Sequence, residues 1–431
     1  MKAYIREIAW VAIAQGVAFV GGLATVKVAA VVLGPSEYGK LSVGLAAVGV
    51  LQVCLYGAIS QTATRFLAFA GSHGQLREYD FALAKLTGLA AIVILLALAV
   101  AAVTGVKHWF PVPASLLAIY TIISGFQAVM IAVFNAARKR QLVAILLIAE
   151  ALLRPSLILA LTRSPEPTAI EAMTGYVLTA GTTALMIVAF RYLLGWSSLE
   201  RIWSRDSEPP AVQVRSLTWD MVFFAAPFLV FGLLGALGTH GERLLLARWV
   251  SWSDVGSYAL MAQLVGAPNV LFTSALNQFY FPLIFQSDPG GTRQVGRSFR
   301  LYLLVSVAGI VVITATVATL GAYLIPLFSS RDFLGNEHLL WYLGMSAGLF
   351  WIGQQLVLPG LRLNRPAVYM PAKLMHSVVL LAASVLLVPA WGVSGMGLAS
   401  VAAAAAYLVA TLLANLWLRR TMGAREEVCR P

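Results

Sequence analysis

The side chains best placed to do chemistry in this 431-residue sequence are ionisable residues set inside long apolar runs. Lys27 precedes the pair Gly34-Pro35, Arg65 closes the run that ends Thr62-Ala63-Thr64, Glu150 and Arg154 stand just before Pro155, and Glu242, Arg243 and Arg248 cluster further on. In hydrocarbon such a charge costs at least ~2.5–3.5 kcal/mol on insertion scales, so it faces water, a partner or a substrate. An arginine fork pairs with phosphate oxygens, so an anionic ligand is what Lys27, Arg65, Arg154, Arg243 and Arg248 would suit. Glu150 and Glu242 are the acids available for coupling or for pairing, and Glu150 can reach Arg154 as an i,i+4 pair.

Each position also has a purely structural reading. Lys27 can snorkel to the interface, Arg65 can act as an interfacial anchor, Arg243 and Arg248 can sit at the membrane surface, and Glu150–Arg154 can serve only to pack helices. Pro155 frees a carbonyl and predicts a kink, while Pro227, Pro268 and Pro371 are hinges or packing kinks.

Other motifs point away from catalysis. Gly34-Pro-Ser-Glu-Tyr-Gly39-Lys40 spells most of a phosphate-binding loop, but Leu41 stands where the metal-binding hydroxyl belongs and no strand precedes it. A turn between two helices is the better reading. His73, His108, His240, His338 and His376 are scattered without metal-ligand spacing, and no nucleophile–base set stands out, so neither a cofactor nor an enzyme is expected. Gly344-x-x-x-Gly348 and the run Ala402–Ala406 predict close helix packing.

The elements that must position these residues follow from composition. Hydrophobic residues make up 60% of the chain and charged ones only 11%, too little polar surface for a soluble protein. Crossing a ~30 Å hydrocarbon layer takes about 20 apolar residues in a helix, and such runs recur throughout. The fold class expected is all-α, a polytopic membrane protein with spans at 8–33, 41–64, 81–104, 114–134, 142–161, 170–194, 217–249, 257–282, 299–325, 338–360, 367–390 and 395–418. The first is too long for a signal peptide and reads as retained.

The net charge of +12 invites a nucleic-acid reading, so its location matters. With a cytoplasmic N-terminus, 22 of the 30 Lys and Arg residues fall at cytoplasmic ends, six at external ends, and Lys27 and Arg154 within the bilayer. The positive-inside rule absorbs the excess, predicts both termini in the cytoplasm of an inner-type membrane, and removes nucleic acid as a partner. Cys54 and Cys429 lie in a span and in the tail, so no structural disulfide is expected.

The longest polar stretch, Gly195 to Leu217, marks the middle. Ahead of it Leu33-Gly-Pro-Ser-Glu-Tyr-Gly-Lys-Leu41 aligns with Val250-Ser-Trp-Ser-Asp-Val-Gly-Ser-Tyr258 beyond it, and the same offset sets Gly71–Gln75 against Asp288–Thr292. A duplicated six-span unit is expected, with an N-lobe at 1–216, including a linker at 195–216, and a C-lobe at 217–431. Lys27 and the Glu242-Arg243 pair then sit at similar depths on equivalent spans.

Four stretches carry a family resemblance: Val31–Gly39, Thr62–Ala68, Phe134–Ala144 followed by Glu150–Arg154, and Glu242–Leu246 followed by Asp254–Tyr258. Together they resemble the polysaccharide-transporter, or oligosaccharide-flippase, branch of the superfamily that also holds multidrug and toxin extrusion exporters. Glu242 departs from the family pattern, which has Asp before Arg. The resemblance implies two six-helix lobes around a central cavity, bordered by spans one and seven and worked by alternating access. It also implies a lipid-linked oligosaccharide as substrate, with membrane lipids and other polysaccharide-assembly proteins as partners. The length is short for the family, which implies no helices beyond the twelfth. A cation-coupled drug exporter is the rival, disfavoured by the few buried acids. A membrane-embedded glycan transferase comes third, because the external connections are short.

Overall fold

The computed structural model describes residues 2–103, 111–194, 217–285, 292–363 and 365–428, all helix, turn or coil with no strand among them. The linker expected at 195–216, His108 and Cys429 lie outside the described residues, as does most of Asp288–Thr292.

Helix α1 (Lys2–Leu51) is interrupted at Gly34, whose φ of 68° and ψ of 175° suit a residue without a Cβ. Pro35 restarts the helix at once, so the phosphate-loop look-alike is a helix break. A π segment, Gln52–Tyr56, leads into α2 (Gly57–Ser72). Then come α3 (Leu76–Val103), α4 (Ala114–Ala136), α5 (Arg140–Leu161) and α6 (Ala169–Leu194). Helix α5 runs through Pro155 as continuous helix.

Beyond the linker, α7 (Leu217–Leu246), α8 (Trp252–Phe285) and α9 (Thr292–Thr319) are followed by the short α10 (Gly321–Phe328). Helix α11 (Leu339–Gln355) continues into α12 (Leu358–Arg362), and α13 (Met370–Val428) completes the chain. Gly392, with φ 54° and ψ −133°, breaks α13 as Gly34 breaks α1. Among the described residues nine segments are long and apolar enough to cross a membrane, and two of these, Trp10–Ser72 and Ala367–Leu418, contain those glycine breaks. The helices follow the apolar runs of the sequence, though several overrun them: the first starts at Lys2, the second continues to Ser72, the ninth begins at Thr292 and the last runs on to Val428.

The chain divides into two compact units, Met1–Gly241 and Glu242–Pro431, and the division falls inside α7. The first unit has a core of Tyr56, Tyr79, Phe134, Leu146 and Ile187. In the second, Tyr280, Ile284, Tyr302 and Leu358 pack together. Gly344 and Gly348 bring α11 against α9: a Cβ at either would collide with Thr314 or Ile310, at 2.3 and 2.9 Å. The expected close packing of this motif is therefore present. Outward-facing apolar side chains such as Leu96, Leu185 and Leu386 are 60, 71 and 73% exposed, a surface that lipid covers without the penalty water would impose. This is a multi-pass membrane protein.

Local chemistry fixes the turns. Glu37, just after the Gly34 break, pairs with Lys40 at 2.5 Å and accepts a 2.8 Å hydrogen bond from the Ala169 N–H at the start of α6. A carboxylate at a helix N-terminus satisfies an orphan donor and complements the dipole. Ser251 and Asp254 cap α8: the Asp254 N–H donates to Ser251 Oγ at 3.2 Å, and that hydroxyl donates to Asp254 Oδ2 at 2.7 Å.

Candidate functional site

In the first unit, α5 carries Glu150 and Arg154 one turn apart, and their side chains form the ion pair that the spacing allows. About a quarter of each side chain remains exposed, 25% for Arg154 and 27% for Glu150. Arg154 also lies over the Tyr176 ring of α6, 5.1 Å from its centre, and Tyr176 meets Tyr120 of α4 edge-on at 5.7 Å. The guanidinium is thus held by a carboxylate on its own helix and an aromatic face on the next, while its Nε finds no hydrogen-bond partner among the described residues.

Arg65 on α2 is exposed, with its guanidinium 4.4 Å from the centre of the Phe224 ring on α7. Phe224 in turn touches Phe66 and Phe228. Lys27 on α1 is exposed, next to buried Thr25 and Ala29, and among the described residues no acid pairs with it.

In the second unit, Glu242 at the end of α7 accepts hydrogen bonds from Tyr258 Oη of α8 at 2.5 Å and from Ser400 Oγ of α13 at 2.7 Å. Tyr258 and Ser400 are both buried. The carboxylate therefore pins three helices through neutral hydroxyls rather than through a salt bridge. Arg243 beside it is half-buried, and Arg248 is exposed in the turn that follows α7.

The sequence named both acids and the five cations, and the structure brings Glu150 together with Arg154. It could not name their supports. Tyr258 sits in a stretch singled out for another reason, and Tyr176, Tyr120 and Ser400 carry no local signal, because each meets its partner only through helix packing. The same holds for Asp80 and Arg191, an ion pair at 2.8 Å between α3 and α6, and for Gln127, which donates to Thr183 and, at 3.1 Å, to the Ala180 carbonyl.

The fold is similar to an inward-facing multidrug resistance MATE family transporter of the MOP superfamily, with a TM-score of 0.74 and 12% identity over 98% of this chain and 100% of that one. It is similar to the lipid II flippase MurJ in an inward closed conformation, with a TM-score of 0.71 and 12% identity over 96% and 87%. A MOP superfamily transporter from Pyrococcus furiosus, described as having a binding pocket of reverse polarity, aligns with a TM-score of 0.55 and 12% identity over 98% and 96%. At such identities the likeness shows the fold alone. No curated protein matches in sequence. The family described as polysaccharide biosynthesis protein matches residues 4–288, which take in α1 to α8 with Lys27, Arg65, the Glu150–Arg154 pair and Glu242-Arg243. The chain belongs to that polysaccharide biosynthesis family.

Proposed function

We propose that this protein is a flippase that moves a lipid-linked oligosaccharide from the inner to the outer leaflet during cell-surface polysaccharide synthesis. Its two six-helix lobes, 1–216 and 217–431, would alternate in access, with no catalytic step. Membership of a polysaccharide biosynthesis family supports the pathway, and the fold shared with transporters supports movement rather than synthesis.

One observation favours an anionic substrate. Both acids at membrane depth are engaged: Glu150 by Arg154, and Glu242 by Tyr258 and Ser400. Lys27, Arg65 and Arg243, in contrast, have no acid in salt-bridge contact among the described residues. A site that binds organic cations needs acids that are not already spoken for, whereas a diphosphate-linked headgroup needs the reverse. In this reading Lys27, Arg65, Arg243 and Arg248 meet the headgroup, Arg154 does so only by releasing Glu150, and Glu242 serves as a pairing acid.

The test is a deletion strain. Lipid-linked oligosaccharide should accumulate on the inner leaflet, with drug sensitivities unchanged. Accumulation of cationic drugs with normal glycans would replace this reading with a drug exporter.

A further inference from the structure

A second feature of the first unit lies away from the residues proposed to bind substrate. Along α3, Ala84, Thr87, Gly88 and Ala91 form a stripe of small side chains, and a Cβ built at Gly88 meets nothing within 4 Å. The gap they leave is a groove of about 460 Å³, floored by Phe126 and Met130 of α4 and bounded by α6. That volume is in the usual range for ligand pockets of about 300–1,000 Å³.

The groove is polar at one end only. Thr87 is no exception, since its hydroxyl is tied to the Leu83 carbonyl at 2.8 Å. At the polar end Arg191 Nη2 donates to Asp80 Oδ2 at 2.8 Å, and Nη1 lies 3.8 Å from the Met130 sulfur. Asp80 is in the first turns of α3 and Arg191 in the last turn of α6, at the end of the lobe that the positive-inside count assigns to the cytoplasm. Gly88 is eight residues further along α3, or about 12 Å deeper at 1.5 Å per residue. Beside the groove, Phe81, Leu89 and Ile92 of α3 are 60, 56 and 53% exposed, so its rim is a lipid-facing surface.

We propose that this groove binds one hydrocarbon chain of an anionic phospholipid, whose phosphate sits at Arg191. The shape fits, because the polar end is at headgroup depth and the apolar length runs toward the bilayer centre. The charge fits as well. The Arg191 side chain stays 38% exposed despite its pair with Asp80, and a guanidinium forms charge-assisted hydrogen bonds with phosphate. Arg77, Arg138, Lys139 and Arg140 belong to the same end of the lobe, the setting in which basic pockets between membrane helices hold anionic headgroups. Asp80 then acts as a positioning residue that fixes the Arg191 fork.

The experiment uses the purified full chain in detergent, stripped of lipid and titrated with dioleoyl phosphatidylglycerol or dioleoyl phosphatidylcholine, which share their chains. Native mass spectrometry counts retained lipid, and thermal unfolding reports the fold. Phosphatidylglycerol should bind about fivefold more tightly, as expected for one cation at a membrane surface. Arg191→Gln should erase that preference. Because this change leaves Asp80 without its partner, Gly88→Phe provides a second arm: the ring grows into open space and should cut binding of both lipids with unfolding unchanged. Equal binding of the two lipids to the unmodified chain would overturn the proposal. So would unaltered binding to a folded Gly88→Phe, or displacement of phosphatidylglycerol by equimolar polyprenyl phosphate, which would assign the groove to the transported substrate. None of these readouts depends on transport, so the outcome is separable from the flippase reading.

Discussion

If Glu150 holds Arg154 against the Tyr176 ring of α6, the two residues of the ion pair should be coupled energetically. Breaking a fully buried pair by removing one partner costs about 3–5 kcal/mol, whereas a surface pair is worth about 0–1 kcal/mol. With a quarter of each side chain exposed, about 2 kcal/mol is appropriate for stranding either ion. Arg154→Met also loses the contact with Tyr176, worth about 0.5–1 kcal/mol, so its total is about 3 kcal/mol. Glu150→Gln keeps that contact and should cost about 2 kcal/mol. The double variant strands no charge and should cost about 1 kcal/mol, far less than the two single changes together. The assay is a double-mutant cycle on the purified protein, read by thermal unfolding with tryptophan fluorescence. Additivity to within about 0.5 kcal/mol would refute the structural reading of the pair. Loss of transport by Arg154→Met at unchanged stability would instead make Arg154 a direct ligand of the headgroup.

Three further outcomes are expected. Tyr258→Phe removes a donor to the Glu242 carboxylate and should lower stability by about 1.5–3 kcal/mol in the same unfolding assay, with Ser400→Ala acting in the same direction; no effect from either would mean that the carboxylate does not pin α7 to α8 and α13. Arg243→Ala should abolish most transport at normal abundance while Arg243→Lys keeps part of it, measured as polysaccharide at the cell surface; full activity of Arg243→Ala would remove this residue from the site. Reporter fusions at Gln75 and Gln294 should both read cytoplasmic, and opposite sides for that pair would remove the duplicated six-span unit.

The sequence by itself determined the helices and their membrane character. Apolar runs of about 20 residues leave no other way to satisfy backbone hydrogen bonds in lipid, so the spans are legible without any knowledge of packing. It also determined the break at Gly34, because a Gly-Pro pair suits a positive φ followed by a helix start, and the i,i+4 pair on α5, because both partners share one helix. The break at Gly392 likewise falls in the short gap between the last two predicted spans.

What the tertiary structure decided are the contacts between helices far apart in the chain. Glu242 alone reads as an acid for coupling or for pairing, and only the packing of α8 and α13 against α7 supplies the Tyr258 and Ser400 hydroxyls that turn it into a helix clamp. Arg65 reads as an interfacial anchor until Phe224 comes beneath it, 159 positions along the chain. Asp80 and Arg191, 111 residues apart, meet for the same reason, and the groove beside them exists only because the small side chains of α3 face α4 and α6. The physical reason is common to all of these: periodicity along one helix fixes which residues share a face, but helix rotation and crossing, set by the packing of every neighbour at once, fix what that face meets.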